Sequence, residues 1–230
     1  MPPTNEAFLQ EVDDELRRDQ LASVWKRWGR WLVATVLLGL AAFAAFLYWD
    51  HQQSVKSGEE SEKLSGAIEA LGSGNTTKAE SDFASLATSS NDGFRATSKM
   101  AQAGLKLQKG DEKGAAVAFG AIAADTTLPK PYRDLALIRQ TIAQFDTMKS
   151  DDVITRLKPL AVTGNPWFGS AGELVAISYM RQNKPDLAGK TFAAIGKDET
   201  VPETIRSRAV QMAGVLGVDA VDTAAKEKAQ

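Results

Sequence analysis

Between Trp31 and Trp49 the chain reads WLVATVLLGLAAFAAFLYW, nineteen residues without a charge. At the rise of an α-helix this run covers roughly 28 Å, the hydrocarbon thickness of a bilayer. Inside lipid every backbone amide must be paired within its own segment, which a single helix achieves unaided. Arg30 and Asp50 close the run at its two ends. The run therefore predicts one membrane-spanning helix. Thr35, Gly39 and Ala42 share one face of it and form a candidate packing face for another transmembrane helix, although Ala and Gly are frequent enough here for chance to give the same pattern.

The flanks orient the span. Trp25, Trp28 and Trp31 on one side and Tyr48 and Trp49 on the other set amphipathic rings at both headgroup levels. Arg17, Arg18, Lys26, Arg27 and Arg30 precede the span, whereas only Lys56 and Lys63 follow closely. Lys and Arg on the near side place the N-terminus in the cytoplasm, and nearby acids do not cancel that bias. A cleaved signal peptide has a shorter apolar core, and the small-x-small stretch Ala42-Phe43-Ala44 lies inside the run rather than after it, so an uncleaved anchor is expected. The resulting order is a cytoplasmic tail at 1–30, the span at 31–49, a juxtamembrane linker or helix extension at 50–60, a repeat domain at 61–217 and a flexible tail at 218–230. Phe8, Val12 and Leu16 fit either a short amphipathic helix or a solvated tail.

Composition narrows the rest. Only 7% of residues are aromatic and 43% are hydrophobic, with many alanines, which disfavours strands. The net charge of −2 comes from scattered groups and leaves no basic face for nucleic acid. The absence of cysteine removes disulfides and thiolate chemistry.

Beyond the span a pattern repeats. Apolar residues at i, i+4 and i+7 recur as Ala79/Phe83/Leu86, Ala115/Phe119/Ile122, Val153/Leu157/Leu160 and Ala188/Phe192/Ile195, at offsets of 36, 38 and 35. Upstream of each triad comes a second apolar set in register: Ala67/Ile68/Leu71, Ala103/Gly104/Leu107, Thr141/Ile142/Phe145 and Ala176/Ile177/Met180. Its first member is small, as two closely approaching helices require. Gly, Asn, Asp or Ser separates the two sets in each unit, supplying helix stops and N-caps. Prolines between units suit the first turn of the following helix. The spacing predicts four stacked helical hairpins and a fifth first-type helix at about Pro202–Leu216 that caps the last one. No single hairpin buries its own apolar face, so stability comes from stacking.

A helix pair about every 34 residues, here with offsets that run long, with a small residue on the first helix and an Ala-Phe type triad on the second, resembles a degenerate tetratricopeptide array over about Ser61–Gly217. Val153 and Leu157 replace Ala and Phe in the third unit. The fold class implied is all-α, a transmembrane helix followed by a right-handed solenoid of about four such hairpins plus a capping helix. The wider layout adds to this: Glu15-Leu16-Arg17-Arg18, then Trp25-Lys26-Arg27-Trp28-Gly29, one span ending Tyr48-Trp49, then the repeats. That order resembles the bacterial YfgM-like family of ancillary SecYEG translocon subunits. The resemblance implies a bacterial inner-membrane protein with a periplasmic repeat domain, and as partners the translocon, periplasmic chaperones such as a PpiD-type isomerase, and exported clients. An envelope-assembly or cell-division scaffold using the same surface is the alternative.

Catalysis finds little support. His51 is the only histidine, one turn past the membrane edge, so neither a Ser-His-Asp or Cys-His set nor a multi-histidine metal site assembles. Gly72-Ser73-Gly74 lacks the Lys-Ser/Thr that a phosphate loop needs. The adjacent acids Asp13/Asp14, Glu59/Glu60 and Asp151/Asp152 fall on exposed faces and caps rather than converging in a cleft. No catalytic residue, cofactor, metal or small-molecule substrate is expected. A protein-binding surface remains, with first helices lining an extended groove. Trp167, Phe168 and Tyr179 are the candidate anchors, and packing between units is the competing role for all three.

Overall fold

The computed structural model describes the backbone of residues 5–220 and the side chains of residues 25–220. The chain divides into two compact units, Met1–Glu59 and Glu60–Gln230. Among the described residues there are helices and turns but no strand.

Helix α1, Asn5–Gly72, runs through the first unit and supplies the first helix of the second. No proline interrupts it after Asp50, and Gly58 and Gly66 each cost only about 1 kcal/mol relative to Ala in a helix interior. Every side chain from Trp31 to Trp49 is exposed. The stretch Trp25–Gly72 is long and apolar enough to cross a membrane. The side chains of Phe8, Val12 and Leu16 lie outside those described.

In the second unit the end of α1 pairs with α2 (Thr76–Leu86), and α3 (Asp92–Gln108) pairs with α4 (Glu112–Ala124). Next come α5 (Lys130–Gln144) with α6 (Ser150–Leu157), α7 (Phe168–Arg181) with α8 (Pro185–Lys197), and α9 (Glu203–Val215). From α2 to α9 each helix packs on the next. These are the expected hairpins, and their turns show why the sequence breaks where it does. Gly74, Gly110 and Asn183 take left-handed backbone at the same register of three hairpins. Asn75 and Asp111 then cap the following helices by accepting from the amides of Lys78 and Gly114. The third hairpin lacks both devices: it turns at Met148-Lys149 with no side-chain cap, and α6 is the shortest helix described.

All twelve triad residues are buried, as are the small residues Ala67, Ala103, Thr141 and Ala176 that face them. Thr141 is polar but donates its hydroxyl to the Leu137 carbonyl at 2.7 Å, which removes the cost of burying it. Each buried Phe or Leu of a triad stabilises the fold by about 1.5–3 kcal/mol relative to an exposed one. In the third unit α6 ends at Leu157, so Leu160 reaches the same core from the turn beyond the helix.

Helix α9 closes the array with Ala209 and Ala213 against the α7–α8 core. Past it Gly217 is left-handed, and Val218 and Ala220 pack back onto the same cluster. Of the tail expected to be flexible, residues 218–220 are thus packed chain, and 221–230 lie outside the described residues.

Candidate functional site

The sequence points to two surfaces, one on the span and one on the hairpins. On the span, Thr35, Gly39 and Ala42 are exposed. The Thr35 hydroxyl donates to the Trp31 carbonyl at 2.9 Å, so it is satisfied within its own helix. At Gly39 an added Cβ meets nothing within 4 Å. The backbone at Gly39 is thus uncovered by any side chain of this chain.

On the hairpins the three aromatic candidates part company. Phe168, only 3% exposed, sits in the core shared by α7, α8 and α9. Its ring is packing and offers no surface to a partner. Trp167 is half-buried beside the third hairpin's core, and its amide donates to Asn165 Oδ1 at 2.8 Å, which fixes the entry into α7. Tyr179 is half-buried between the cores of the third and fourth hairpins.

A signal missed by the sequence reading lies one residue after each small position. Ile68, Ile142 and Ile177 are 56%, 46% and 36% exposed, and Gly104 holds the same place in the second unit. Adjacent helix residues point about 100° apart, so when Ala67, Thr141 and Ala176 face the core their successors turn away from it. The result is an aliphatic side chain at one register on three first helices.

A second missed feature is the turn between hairpins. Asp125 Oδ1 accepts from the Thr127 amide at 3.1 Å and its hydroxyl at 2.6 Å, and Asp198 repeats the pattern with Thr200 at 2.9 and 2.6 Å. These hydrogen bonds, joined in Asp125 by the Lys99 ammonium at 3.0 Å, hold its carboxyl at about 2. Asp198 is lowered by its bonds to Thr200. The signal was readable as Asp-x-Thr-Φ-Pro at 125–129 and 198–202, where Leu128 and Val201 are the buried Φ.

The family model for a tetratricopeptide repeat-like domain matches residues 23–213. The chain belongs to the tetratricopeptide repeat-like family. No curated protein and no solved structure matches it. Tetratricopeptide-like domains are generally non-catalytic modules for protein–protein interaction. Asp151 and Asp152 occupy the first turn of α6, where the helix dipole favours them, and Asp151 accepts from Gln182 Nε2 at 2.7 Å. Glu60 accepts from the Ser89 hydroxyl at 2.8 Å. His51 is exposed, and Asp13 and Asp14 lie outside the described side chains. Among the described residues no three His, Asp or Glu side chains are grouped to hold a metal ion.

Proposed function

We propose that this tetratricopeptide-like chain is a membrane-tethered interaction module of the bacterial envelope. Its span at 31–49 holds residues 1–30 in the cytoplasm and the repeat domain, 61–217, in the periplasm. There it acts as an ancillary subunit beside a SecYEG-type translocon and links emerging polypeptides to periplasmic chaperones. The observation that carries this reading is the union, on one chain, of a charge-free exposed span and a tetratricopeptide-like domain. The excess of Lys and Arg before the span supports the orientation.

Tethering has a direct physical consequence. Confining a weak binder to the membrane raises its effective concentration at the exit of the export channel, so modest affinity suffices. Thr35, Gly39 and Ala42 form the face that meets a partner's transmembrane helix, and the exposed edges of Trp167 and Tyr179 contribute to contacts in the periplasm.

Protease added to spheroplasts tests the topology: the reading expects the repeat domain to be digested while intact cells protect it. Purification of the native complex in mild detergent tests the partner, with recovery of translocon channel subunits expected. A complex that reproducibly lacks translocon and chaperone components, and a fluorescent fusion concentrated at the septum, would move the assignment to a cell-division scaffold.

A further inference from the structure

Helices α2 and α4 both pack on α3 and leave between them an open groove of about 890 Å³. It runs over α3 between the second helices of the first two hairpins, and none of Ile68, Ile142 and Ile177 lines it. Its origin is visible in the sequence of α4, Ala-Ala-Val-Ala-Phe-Gly-Ala-Ile-Ala-Ala at 115–124. There Phe119 turns into the core, the buried Ile122 lies between core and groove, and single methyls at Ala118, Ala121 and Ala124 face the groove. Ala84 does the same from α2, and Leu105 forms the apolar floor. Walls this short leave depth that larger side chains would fill.

The charges around the groove cancel in place. Three lysines and three acids line it. Lys99 pairs with Asp125 at 3.0 Å, Lys106 lies 3.8 Å from Asp111, and Lys109 pairs with Glu80 across from α3 to α2. These part-exposed pairs add little stability themselves, but a lining whose charges already balance offers a charged occupant no net attraction to offset the water it would lose over the alanine walls. The groove therefore selects against net charge.

Backbone chemistry decides the occupant's conformation. The walls and floor are helices, whose amides and carbonyls are already paired internally. An extended peptide laid against them would bury its own backbone groups unsatisfied, whereas a helix arrives with its hydrogen bonds made. From Lys99 to Lys109 the groove follows α3 for ten residues, about 15 Å, which matches some three turns of a guest helix.

We infer that the groove between α2 and α4 receives the uncharged apolar ridge of a short amphipathic helix from a partner polypeptide, Leu- or Phe-sized side chains at i, i+3 or i+4, and i+7 filling the space above Ala84, Ala118, Ala121 and Ala124. The inference rests on the reading of the repeat domain as a protein-binding module and names where and what it binds.

The test uses the full chain in lipid nanodiscs and a fluorescein-labelled sixteen-residue helical peptide with a Leu ridge and Gln and Ser elsewhere, followed by anisotropy. Ala121→Phe and, on the opposite wall, Ala84→Leu fill the groove from exposed positions and do not enter the core. Each is expected to weaken binding at least tenfold, with the helical circular dichroism unchanged. Ile142→Asp on the first-helix register is expected to leave affinity within twofold, and so is a change from 50 to 500 mM NaCl. Equal binding of a peptide whose ridge Leu are replaced by Asp, or indifference to both filling variants, overturns the inference. Loss of binding in Ile142→Asp alone would sink the groove and keep the domain a protein binder. Binding of dansyl-undecanoate that Ala121→Phe blocks, with no binding of the peptide, would make the occupant an acyl chain and likewise overturn it.

Discussion

The guanidinium of Arg181 lies 4.0 Å from the centroid of the Phe145 ring and donates from Nη1 to the Phe145 carbonyl at 2.7 Å. Its Nη2 reaches Asp146 Oδ1 at 2.9 Å. One side chain from the end of α7 thus satisfies a carbonyl that the end of α5 leaves without a helical partner. The clamp falls on the one hairpin turn that has neither a left-handed residue nor a side-chain cap. The ring contact at a part-exposed site contributes about 0.5–1 kcal/mol, and the ion pair to the exposed Asp146 adds little.

Arg181→Ala is accordingly expected to cost about 1–2 kcal/mol, given a charge-assisted bond to a carbonyl besides the ring contact. Arg181→Lys keeps the charge but loses the planar stacking and the fork, so it should recover less than half of that loss. Urea midpoints followed by circular dichroism on the nanodisc-held chain measure both. A lysine variant as stable as the parent would show that charge alone matters.

Core and surface at the repeat register should separate cleanly. Phe119 is fully packed among α3, α4 and α5, and Phe119→Ala is expected to cost about 3–5 kcal/mol through lost burial and the cavity left behind. Ile142, one residue past a buried position, should change stability by less than about 0.5 kcal/mol when cut to Ala, as surface substitutions do. The check is the same unfolding experiment, and an Ile142→Ala loss above 2 kcal/mol would place that side chain in the core.

The contrast between these two residues also marks how far the sequence could be read. Triad positions recur at helical spacing in four units, and a periodicity repeated four times identifies a buried stripe, so Phe83, Phe119, Leu157 and Phe192 were legible as core. Ile68, Ile142 and Ile177 were not legible as surface, because an aliphatic residue beside a small one fits the edge of a buried stripe as well as its outside. Phe168 shows the same limit in reverse: an aromatic next to a proline-bearing turn suits an anchor or a core, and only its packing against α8 and α9 decides. The groove was invisible for a different reason. Alanine satisfies helix propensity everywhere in α4, so the sequence does not tell which alanines have a neighbour and which face an empty trough.

Two helical glycines give opposite expectations for the same change. At Gly104 an added Cβ meets nothing within 4 Å, so Gly104→Ala should gain about 0.5–1 kcal/mol from helix propensity. At Gly189 a Cβ would come 2.6 Å from Val218 Cγ2 and 3.4 Å from Leu216 Cβ. The cost of overpacking, about 1–3 kcal/mol, there exceeds the propensity gain, and Gly189→Ala should be destabilising. Adding Val218→Ala to it should restore part of the loss, since the clash is with that side chain. If the double variant is no better than the sum of the singles, the chain after α9 does not pack on α8 in solution.

The turn carboxylate gives the acid side of the stability curve a defined shape. Hydrogen bonds from Thr127 and then the bond from Lys99 lower the Asp125 carboxyl from 3.8 to about 2. Between those values the unfolded chain binds a proton that the folded chain refuses, so stability rises with pH across the window. The contribution is fully present above about pH 4 and is lost as pH falls toward 2. Asp198 shifts in the same direction through Thr200 and acts in the same sense. Asp125→Asn removes the titrating group, so the variant should be less stable than the parent at pH 7 and the gap between them should shrink as pH drops from 4 toward 2. Urea midpoints at pH 7, 5, 4 and 3 for both chains measure the gap. A gap that stays constant through pH 3 would mean that the Asp125 carboxylate is not held by Thr127 and Lys99 in the folded protein.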